Sequence, residues 1–255
     1  MNRIKAVLEY DGTAYRGWQR QPDATTVQGT CERAIAKVVG DPVDVVASGR
    51  TDSGVHARGQ TVHVDVDAGI DPPDLRRAWN AYLPDDVWVR ELAPAPSGFH
   101  ARHDARARTY RYYVAHGPRA RSPFVSRYHW SLDRPVDWDR IERATGRLTG
   151  THDFRRFAKG SKRARRRAGR PPGRCTVAGA AWRSVPAGRM LEITADRYLR
   201  HMVRALVGTL IDIGRDRVTI AELERALEPG GERPSAGYAP PRGLFLWRVE
   251  YADDA

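Results

Sequence analysis

Residues 3–10 read RIKAVLEY, a stretch that places Ile4, Ala6, Leu8 and Tyr10 on one face of a β-strand. Patterns further along the chain predict a helix after Thr25, a short buried strand, a loop, a second alternating strand, another helix and a fourth strand. The short buried strand is predicted at 43–47, the loop at 48–58 and the second alternating strand at 62–66. The second helix is predicted at 72–83 and the fourth strand at 87–92. The order β-α-β-β-α-β is that of a split βαβ, or ferredoxin-like, unit.

The boundaries of the first helix carry local signals. Thr25 with Gln28 three residues later has the spacing of a capping box, in which each side chain bonds the other's backbone N–H. Gly40 is expected to end the helix, because glycine readily adopts the left-handed conformation of a C-cap. Cys31 falls on the apolar stripe of this helix and is expected to be a buried structural thiol.

A similar order of elements recurs after residue 106. Strands are predicted at 109–115, 175–185, 190–195 and 244–251, and helices at 138–148, at 199–213 and after a second capping-box pattern, Thr219 with Glu222. We therefore expect an α/β (α+β) protein of two related halves, residues 1–106 and 107–255. Their strands would form an extended, mostly antiparallel sheet with helices packed on one side.

The composition limits the classes of function. The chain has 255 residues, a formal net charge of +12 and two cysteines, and no apolar run approaches the length of a membrane span. Such positive charge suggests a polyanionic partner, nucleic acid first and a membrane surface second. The two cysteines lie far apart in sequence without C-x-x-C spacing, so we expect neither a disulfide framework nor a thiolate zinc site, and the N-terminus lacks a signal-peptide core. A cytoplasmic protein is the simplest expectation.

The predicted loop 48–58 contains a carboxylate among small residues, in the sequence Gly49-Arg50-Thr51-Asp52-Ser53-Gly54-Val55-His56-Ala57. Local chemistry alone favours an ordinary turn, since Asp, Ser and Gly are turn formers. Asp52-Ser53-Gly54 also resembles the signature of aspartic proteases, which need two carboxylates sharing a proton. The chain has no second copy of that signature, so a protease would have to be a symmetric dimer.

The same nine residues resemble the catalytic signature of the TruA family, the tRNA pseudouridine(38–40) synthases, which usually have Ala where this chain has Ser53. Further segments resemble the family in the same order along nearly the whole chain. They are Glu9-Tyr10-Asp11-Gly12, Gly17-Trp18-Gln19-Arg20-Gln21, Asn80-Ala81-Tyr82-Leu83-Pro84, Phe99-His100-Ala101-Arg102, Arg108-Thr109-Tyr110-Arg111-Tyr112, His201-Met202-Val203-Arg204, Val207-Gly208 and Gly243-Leu244-Phe245-Leu246. The resemblance implies a homodimer that isomerises uridine to pseudouridine in the anticodon stem-loop of tRNA.

The resemblance also implies residue roles. Asp52 would be the catalytic nucleophile, and Arg204 would balance its charge. Tyr110 would stack on the flipped base and is a candidate for the final proton transfer from the ring carbon. Leu244 would lie under the base, and Arg50 would contact RNA beside the target nucleotide. A flipped base needs such an apolar surface and hydrogen bonds to its edge.

Each of these residues also has an ordinary structural explanation. From the patterns alone, Tyr110 would be a packed strand residue, sharing its face with Tyr112, and Leu244 would be strand core. Arg204 would be a solvated residue on the flank of its helix. Its position at the edge of the apolar stripe, with Gly208 one turn on leaving space beside it, also fits the role of partner to Asp52. Arg50 would form a salt bridge within its loop.

Residues 155–174 contain ten Lys and Arg and no acidic residue, so this stretch supplies most of the net charge. Its candidate tRNA phosphate contacts are Arg163, Arg165, Arg166 and Arg167, and the alternative is a solvated loop that adds only non-specific affinity. The chain has no Walker A motif, no dinucleotide fingerprint and no H-x-x-x-H pair, so we expect no cofactor and no metal. The rival function is a basic RNA-binding protein without catalysis, but a carboxylate such as Asp52, which repels phosphate, would not serve it.

Overall fold

The computed structural model of the chain describes residues 2–67, 69–159 and 173–252. The chain divides into two compact units, Met1–Arg108 together with Phe245–Ala255, and Thr109–Leu244. The last strand is thus grouped with the first unit. The functional division at residue 106 that the sequence suggests stays a prediction.

The first unit begins with strand β1 (Asn2–Tyr10), followed by helix α1 (Val27–Val39) and the two-residue strand β2 (Val46–Ala47). Strand β3 (His56–Val66), helix α2 (Pro72–Tyr82) and strand β4 (Val87–Pro94) complete the predicted β-α-β-β-α-β order. β1 lies between β3 and β4 and is antiparallel to both. Every second residue of β1 is buried, from Ile4 to Tyr10, as the alternation predicts.

Several predicted boundaries in this unit are wrong. The strand predicted at 43–47 begins only at Val46, and its two residues are half-buried and not buried. The N-cap of α1 is Thr26, whose side chain accepts a hydrogen bond from Gly29 N, and not Thr25. Either threonine could cap, because both side chains offer a hydroxyl oxygen. The loop predicted for 48–58 ends early, because β3 already begins at His56 and pairs with β1 from Ala57 onward. Gly40 ends α1 as predicted, with φ of 84°.

The second unit starts with strand β5 (Ala107–Ala115), the one-turn helix α3 (Pro123–Ser126), the two-residue strand β6 (Trp130–Ser131) and helix α4 (Trp138–Gly146). Strands β7 (Gly150–Asp153), β8 (Arg174–Val185) and β9 (Gly188–Ala195) follow. Within this unit the strand order is β5-β9-β8-β7, with β6 beside β5. The sequence patterns missed β6, β7 and α3, which are too short to show a period.

Helices α5 (Met202–Gly214) and α6 (Ile220–Leu227) complete the second unit, and strand β10 (Leu244–Glu250) follows them. α5 packs against α4, and its apolar stripe is core, with Leu206 and Leu210 fully buried. α6 opens with the predicted capping box, in which Thr219 and Glu222 bond each other's backbone N–H.

β10 runs parallel to β3, with Phe245 opposite His56 and Leu246 opposite Ala57. Most other strand pairs in each unit are antiparallel. The predicted class, a mixed α and β protein with mostly antiparallel strands, is confirmed.

Candidate active site

Asp52 lies on the loop that joins β2 to β3, and its side chain is half-buried. Its neighbours Thr51 and Val55 are buried, whereas Arg50 and Ser53 are exposed. Val55 N donates to Asp52 O at 3.1 Å, which closes a tight turn, and Gly54 takes the positive φ of 74° within it. Asp52 is therefore partly accessible to solvent, while the buried residues Thr51 and Val55 anchor the loop around it.

Two buried side chains of neighbouring strands, Tyr10 and Gln60, hold residues 48–51 of this loop. Tyr10 Oη and Thr51 Oγ1 lie 2.8 Å apart, so a hydroxyl of β1 is bonded to the residue before Asp52. Gln60 of β3 donates from Nε2 to Gly49 O at 2.8 Å and accepts from Ser48 Oγ at 2.8 Å. Buried polar groups must find partners, and here the partners lie on two adjacent strands.

Residues 11–18 hold residues 51–54 of the Asp52 loop through backbone hydrogen bonds. Trp18 N donates to Thr51 O at 3.1 Å, and Gly54 N donates to Tyr15 O at 3.3 Å. Ser53 Oγ donates to the same carbonyl of Tyr15 at 3.2 Å. The Ser53 hydroxyl, at a position where the family that this loop resembles usually has alanine, thus adds a hydrogen bond that holds the loop.

Two glycines make this close approach of backbones possible. A Cβ on Gly12 would lie 2.0 Å from Val55 O, and a Cβ on Gly17 would lie 2.8 Å from Thr51 O. Gly17 also has a φ of +92°, which side-chain-bearing residues rarely adopt. The segments Glu9–Gly12 and Gly17–Gln21, which carry part of the family resemblance, form this support for the Asp52 loop.

His56 closes the loop at the start of β3 and is 1% exposed. Its Nδ1 lies 3.1 Å from Gly12 N and 3.0 Å from Asp11 Oδ1, two contacts that require opposite protonation of the same nitrogen. We assign the hydrogen bond to Gly12, because its N–H can only donate, and Asp11 Oδ1 accepts from Thr13 N at 3.0 Å instead. The imidazole ring stacks on Phe245 of β10 with centroids 4.6 Å apart.

The sequence did not identify the supporting roles of Tyr10, Gln60 and His56. The sequence signal for Gln60 is weak: it is the single amide within β3, and only the structure shows that it is 0% exposed. A buried amide needs partners, and a polar loop beside it could provide them. Tyr10 gave no such signal, because a tyrosine on the apolar face of a strand is ordinary core.

In the second unit, Tyr110 lies on β5, is half-buried and packs edge-on against Tyr198 with centroids 4.9 Å apart. Tyr112, two residues further on the strand, is 0% exposed and donates from Oη to Pro240 O at 2.8 Å. Burial raises the pKa of the Tyr112 phenol, so Tyr112 is a fixed core group. Of these two tyrosines, Tyr110 is the one that solvent reaches.

Arg204 lies in the first turn of α5, half-buried. Its Nε donates to Ala239 O at 2.8 Å, and its own carbonyl accepts from Ala239 N at 3.0 Å. The interpretation as a solvated flank residue is therefore wrong. The space predicted beside Gly208 is also filled, since a Cβ there would lie 2.0 Å from Gly237 O. Gly208 lets the 237–239 backbone pack against the helix that carries Arg204.

Leu244 follows the 3-10 turn Pro241–Gly243 and is 5% exposed, as a strand-core residue would be. Gly243 before it packs on β5, where a Cβ would lie 2.7 Å from Tyr113 O. Arg204 and Leu244 are thus connected through the segment 237–244. Arg50 and Asp52 share the loop of the first unit.

The four predicted phosphate contacts, Arg163, Arg165, Arg166 and Arg167, lie outside the described residues.

No group of three or more His, Cys, Asp or Glu side chains in the described part of the chain is arranged to hold a metal ion. Across the same residues, none of the helices combines the length and the apolar character needed to cross a bilayer.

Comparison with known proteins gives consistent matches. The family model described as tRNA pseudouridine synthase matches residues 6–104 and 144–252. The chain is 36% identical over 253 residues to tRNA pseudouridine synthase A of Pelodictyon phaeoclathratiforme, covering 98% of this chain and 100% of the relative. It is 39% identical over 253 residues to tRNA pseudouridine synthase A of Chlorobaculum tepidum, covering 97% of each. The similarity to curated proteins therefore extends along nearly the whole length.

Proposed function

This chain belongs to the tRNA pseudouridine synthase family, and from that premise we propose that it forms pseudouridine at positions 38, 39 and 40 of the tRNA anticodon stem-loop. The enzyme is an isomerase, since uridine and pseudouridine have the same atoms. The C1′–N1 glycosidic bond breaks, the uracil turns, and a C1′–C5 bond forms. The hydrogen on C5 leaves as a proton and N1 gains one, so no redox partner or group donor is needed.

We assign the nucleophile to Asp52. A carboxylate can begin the reaction by attacking the ribose, attacking the ring or abstracting a proton, and each route needs it within reach of the bound nucleotide. The observation that carries the assignment is the position of Asp52 within the matched family motif, half-buried on a loop fixed by the Tyr10–Thr51 and Ser53–Tyr15 contacts. A nucleophile held on such a loop does not have to be ordered again in each turnover.

The remaining roles follow the resemblance. Tyr110 stacks on the flipped uracil and is the candidate for the final proton transfer, and its half-buried ring on β5 supports this role. Leu244 provides an apolar surface for the base. Arg204 supplies the positive charge that an ionised carboxylate needs when the substrate excludes water. Arg50, which is exposed on the Asp52 loop, contacts RNA beside the target nucleotide.

Three further parts of the proposal concern the partner and the assembly. The basic stretch containing Arg163, Arg165, Arg166 and Arg167 binds tRNA phosphates. The protein acts as a homodimer, as the family resemblance implies, and it works in the cytoplasm. Neither a metal nor a cofactor has a role in the mechanism.

The positional assignment can be tested by mapping pseudouridine in unmodified tRNA transcripts. A carbodiimide adduct that survives alkali on pseudouridine stops reverse transcription one nucleotide before the modified base. We expect stops that report positions 38–40 after incubation with the wild-type protein, and none after incubation with Asp52→Ala. Stops only elsewhere in the tRNA would overturn the positional assignment while leaving the isomerase chemistry in place.

The rival is a basic protein that binds RNA without catalysis. It predicts that Asp52→Ala and the wild-type protein bind tRNA equally and that neither modifies it. Loss of modification in Asp52→Ala with retained tRNA affinity would exclude this rival, because binding and chemistry would then have been separated at one side chain.

A further inference from the structure

Phe124 is 92% exposed, far more than the other large apolar side chains on the described surface, Trp88 at 49% and Tyr82 at 52%. It lies on α3, a helix of four residues with no buried side chain. A phenyl ring in water gains nothing from packing, so the fold does not need an aromatic residue here. An exposed aromatic ring of this kind is typical of a surface that binds a partner.

Arginines surround Phe124 in the sequence and in the structure. Arg119 and Arg121 lie in the 3-10 turn Pro118–Arg121 directly before α3, and Arg127 is the C-cap of α3. All three are exposed. Residues 116–132 contain these three arginines and no acidic residue, and among the described residues neither Arg119 nor Arg121 forms an ion pair. Their charges can therefore bind an external anion.

A fourth arginine reaches the same place from a distant part of the sequence. Arg242 donates from Nε to His129 O at 3.1 Å, and His129 Nδ1 donates to Val125 O at 2.9 Å. These two contacts fix an exposed guanidinium beside α3. We call the set Arg119, Arg121, Phe124, Arg127 and Arg242 the Phe124 surface.

We propose that the Phe124 surface is an RNA contact separate from the Asp52 loop, in which Phe124 stacks on an unpaired base and the arginines bind the flanking phosphates. Stacking on aromatic rings tolerates any base, and guanidinium groups bind phosphate with two parallel hydrogen bonds. The inference rests on the proposed function in that the RNA is taken to be tRNA. The surface lies between the two stretches that the family model matches, 6–104 and 144–252, except for Arg242.

Charge favours RNA over a second copy of this chain as the occupant. A copy that covered the ring with the same surface would bring its own Arg119, Arg121 and Arg127 toward these arginines, and residues 116–132 contain no acidic residue to offset them. Like charges brought together at an interface weaken association, whereas a phosphate backbone neutralises each arginine that it meets.

The test compares three substitutions of the exposed ring in the full-length protein, with fluorescently labelled tRNA as the probe. Phe124→Ala should raise the Kd for tRNA roughly tenfold, Phe124→Leu should do the same, and Phe124→Tyr should stay within about twofold, because the ring and not its hydrophobicity supplies the stacking. Since Phe124 is exposed, none of these changes should unfold the protein. The rate at saturating tRNA should be unchanged in all three.

A charge pair extends the test with a matched control. Arg119→Gln with Arg121→Gln should weaken binding and lower the slope of log affinity against log salt by about 0.9 for each phosphate that the variant no longer neutralises. Arg147→Gln with Arg183→Gln removes two exposed arginines of the same unit, which lie near Glu224 and Glu192, and should change the slope less.

An unchanged tRNA affinity in Phe124→Ala would overturn the inference. If the sedimenting mass of that variant also drops, the surface would be assigned to contacts between copies of the chain. The binding assay does not depend on pseudouridine formation. If the wild-type protein binds tRNA but forms no pseudouridine, the proposed activity is refuted, and the tRNA affinity of Phe124→Ala still tests this inference. A wild-type protein that does not bind tRNA would overturn both.

Discussion

The hydroxyl oxygens of Tyr10 and Thr51 lie 2.8 Å apart, with both residues buried, and Thr51 directly precedes Asp52 in the sequence. Tyr10 is the last residue of β1, so a rigid strand is bonded directly to the loop that carries the proposed nucleophile. Gln60 Nε2, 3.5 Å from the same phenol oxygen, joins β3 to this arrangement. The position of Asp52 is thus set by side chains that do not themselves take part in the reaction.

Tyr10→Phe removes the phenol oxygen and leaves the Thr51 hydroxyl without this partner. We expect a loss of about 1 kcal/mol in the free energy of unfolding. We also expect a fall of roughly tenfold to a hundredfold in kcat with little change in KM, because a small displacement of a reacting group is costly. Urea unfolding and initial rates measure both effects. Tyr82→Phe, at a side chain that is 52% exposed, is the control, and equal behaviour of the two variants would contradict the anchoring role.

Gly12→Ala adds only one methyl group, but we expect it to lower both the stability and the activity of the protein. Its Cβ would lie 2.0 Å from Val55 O, a backbone atom that cannot turn aside, so the Asp52 loop or the turn at Gly12 must move. Overpacking of this kind costs about 1–3 kcal/mol. The specific activity of the folded fraction should fall as well. Gly98→Ala places its Cβ where no atom lies within 4 Å and should leave stability and activity intact. A fully active Gly12→Ala protein would show that the close approach is dispensable.

The Arg-rich stretch 155–174 is tested by the salt dependence of tRNA binding. Replacing Arg163, Arg165, Arg166 and Arg167 by Gln should weaken tRNA binding and reduce its salt dependence, by about 0.9 in slope for each phosphate left without its arginine. Filter binding over a series of salt concentrations measures both quantities. If affinity and slope stay at their wild-type values, these arginines do not contact the tRNA.

Local signals in the sequence were sufficient for much of the fold. Gly40 ends α1, and Thr219 with Glu222 opens α6, because caps depend on residues within one turn of each other. The choice of Thr26 over Thr25 was not predictable, since both can accept the same kind of hydrogen bond. The strand start at His56 was missed because it depends on pairing with β1 and β10, which are remote in sequence.

The sequence nominates a candidate site but does not indicate which residues support it. The loop 49–57 is specific enough to nominate Asp52 through a resemblance. The residues that fix the loop, such as Gln60 and Gly12, act through contacts 11 and 43 positions away in sequence, as in Gln60 with Gly49 and Gly12 with Val55. Such contacts leave no periodic signature. In the second unit, the helix pattern alone predicts that Arg204 is a solvated flank residue. The structure shows that its Nε donates to Ala239 O, in a segment remote in sequence.

His63 predicts a specific pH dependence of stability. It is buried, and burial, with Arg3 and His100 nearby, lowers its pKa from 6.5 to about 4, while Ala101 N donates to its neutral Nδ1 at 3.1 Å. The unfolded chain takes up a proton near pH 6.5 and the folded chain only near pH 4. The stability from this residue is therefore complete above pH 6.5 and falls as the pH drops toward 4, by about 3 kcal/mol at most.

The substitution His63→Asn tests this dependence, since the amide oxygen can accept from Ala101 N and does not titrate. Urea unfolding between pH 7.5 and pH 4 should show a weaker decline for His63→Asn than for the wild-type protein. The difference between the two proteins at pH 7.5 gives the cost of the substitution itself. Parallel declines across the range would mean that His63 does not titrate as its surroundings suggest.

The role of Asp52 is best decided by tritium release from tRNA that carries uridine labelled at C5, because pseudouridine formation must displace that hydrogen. Wild type, Asp52→Ala and the control Asp41→Ala, which changes an exposed carboxylate just after α1, would be compared at equal tRNA occupancy. We expect release by the wild-type and Asp41→Ala proteins and none by Asp52→Ala. Release by Asp52→Ala at the wild-type rate would show that Asp52 is not the nucleophile.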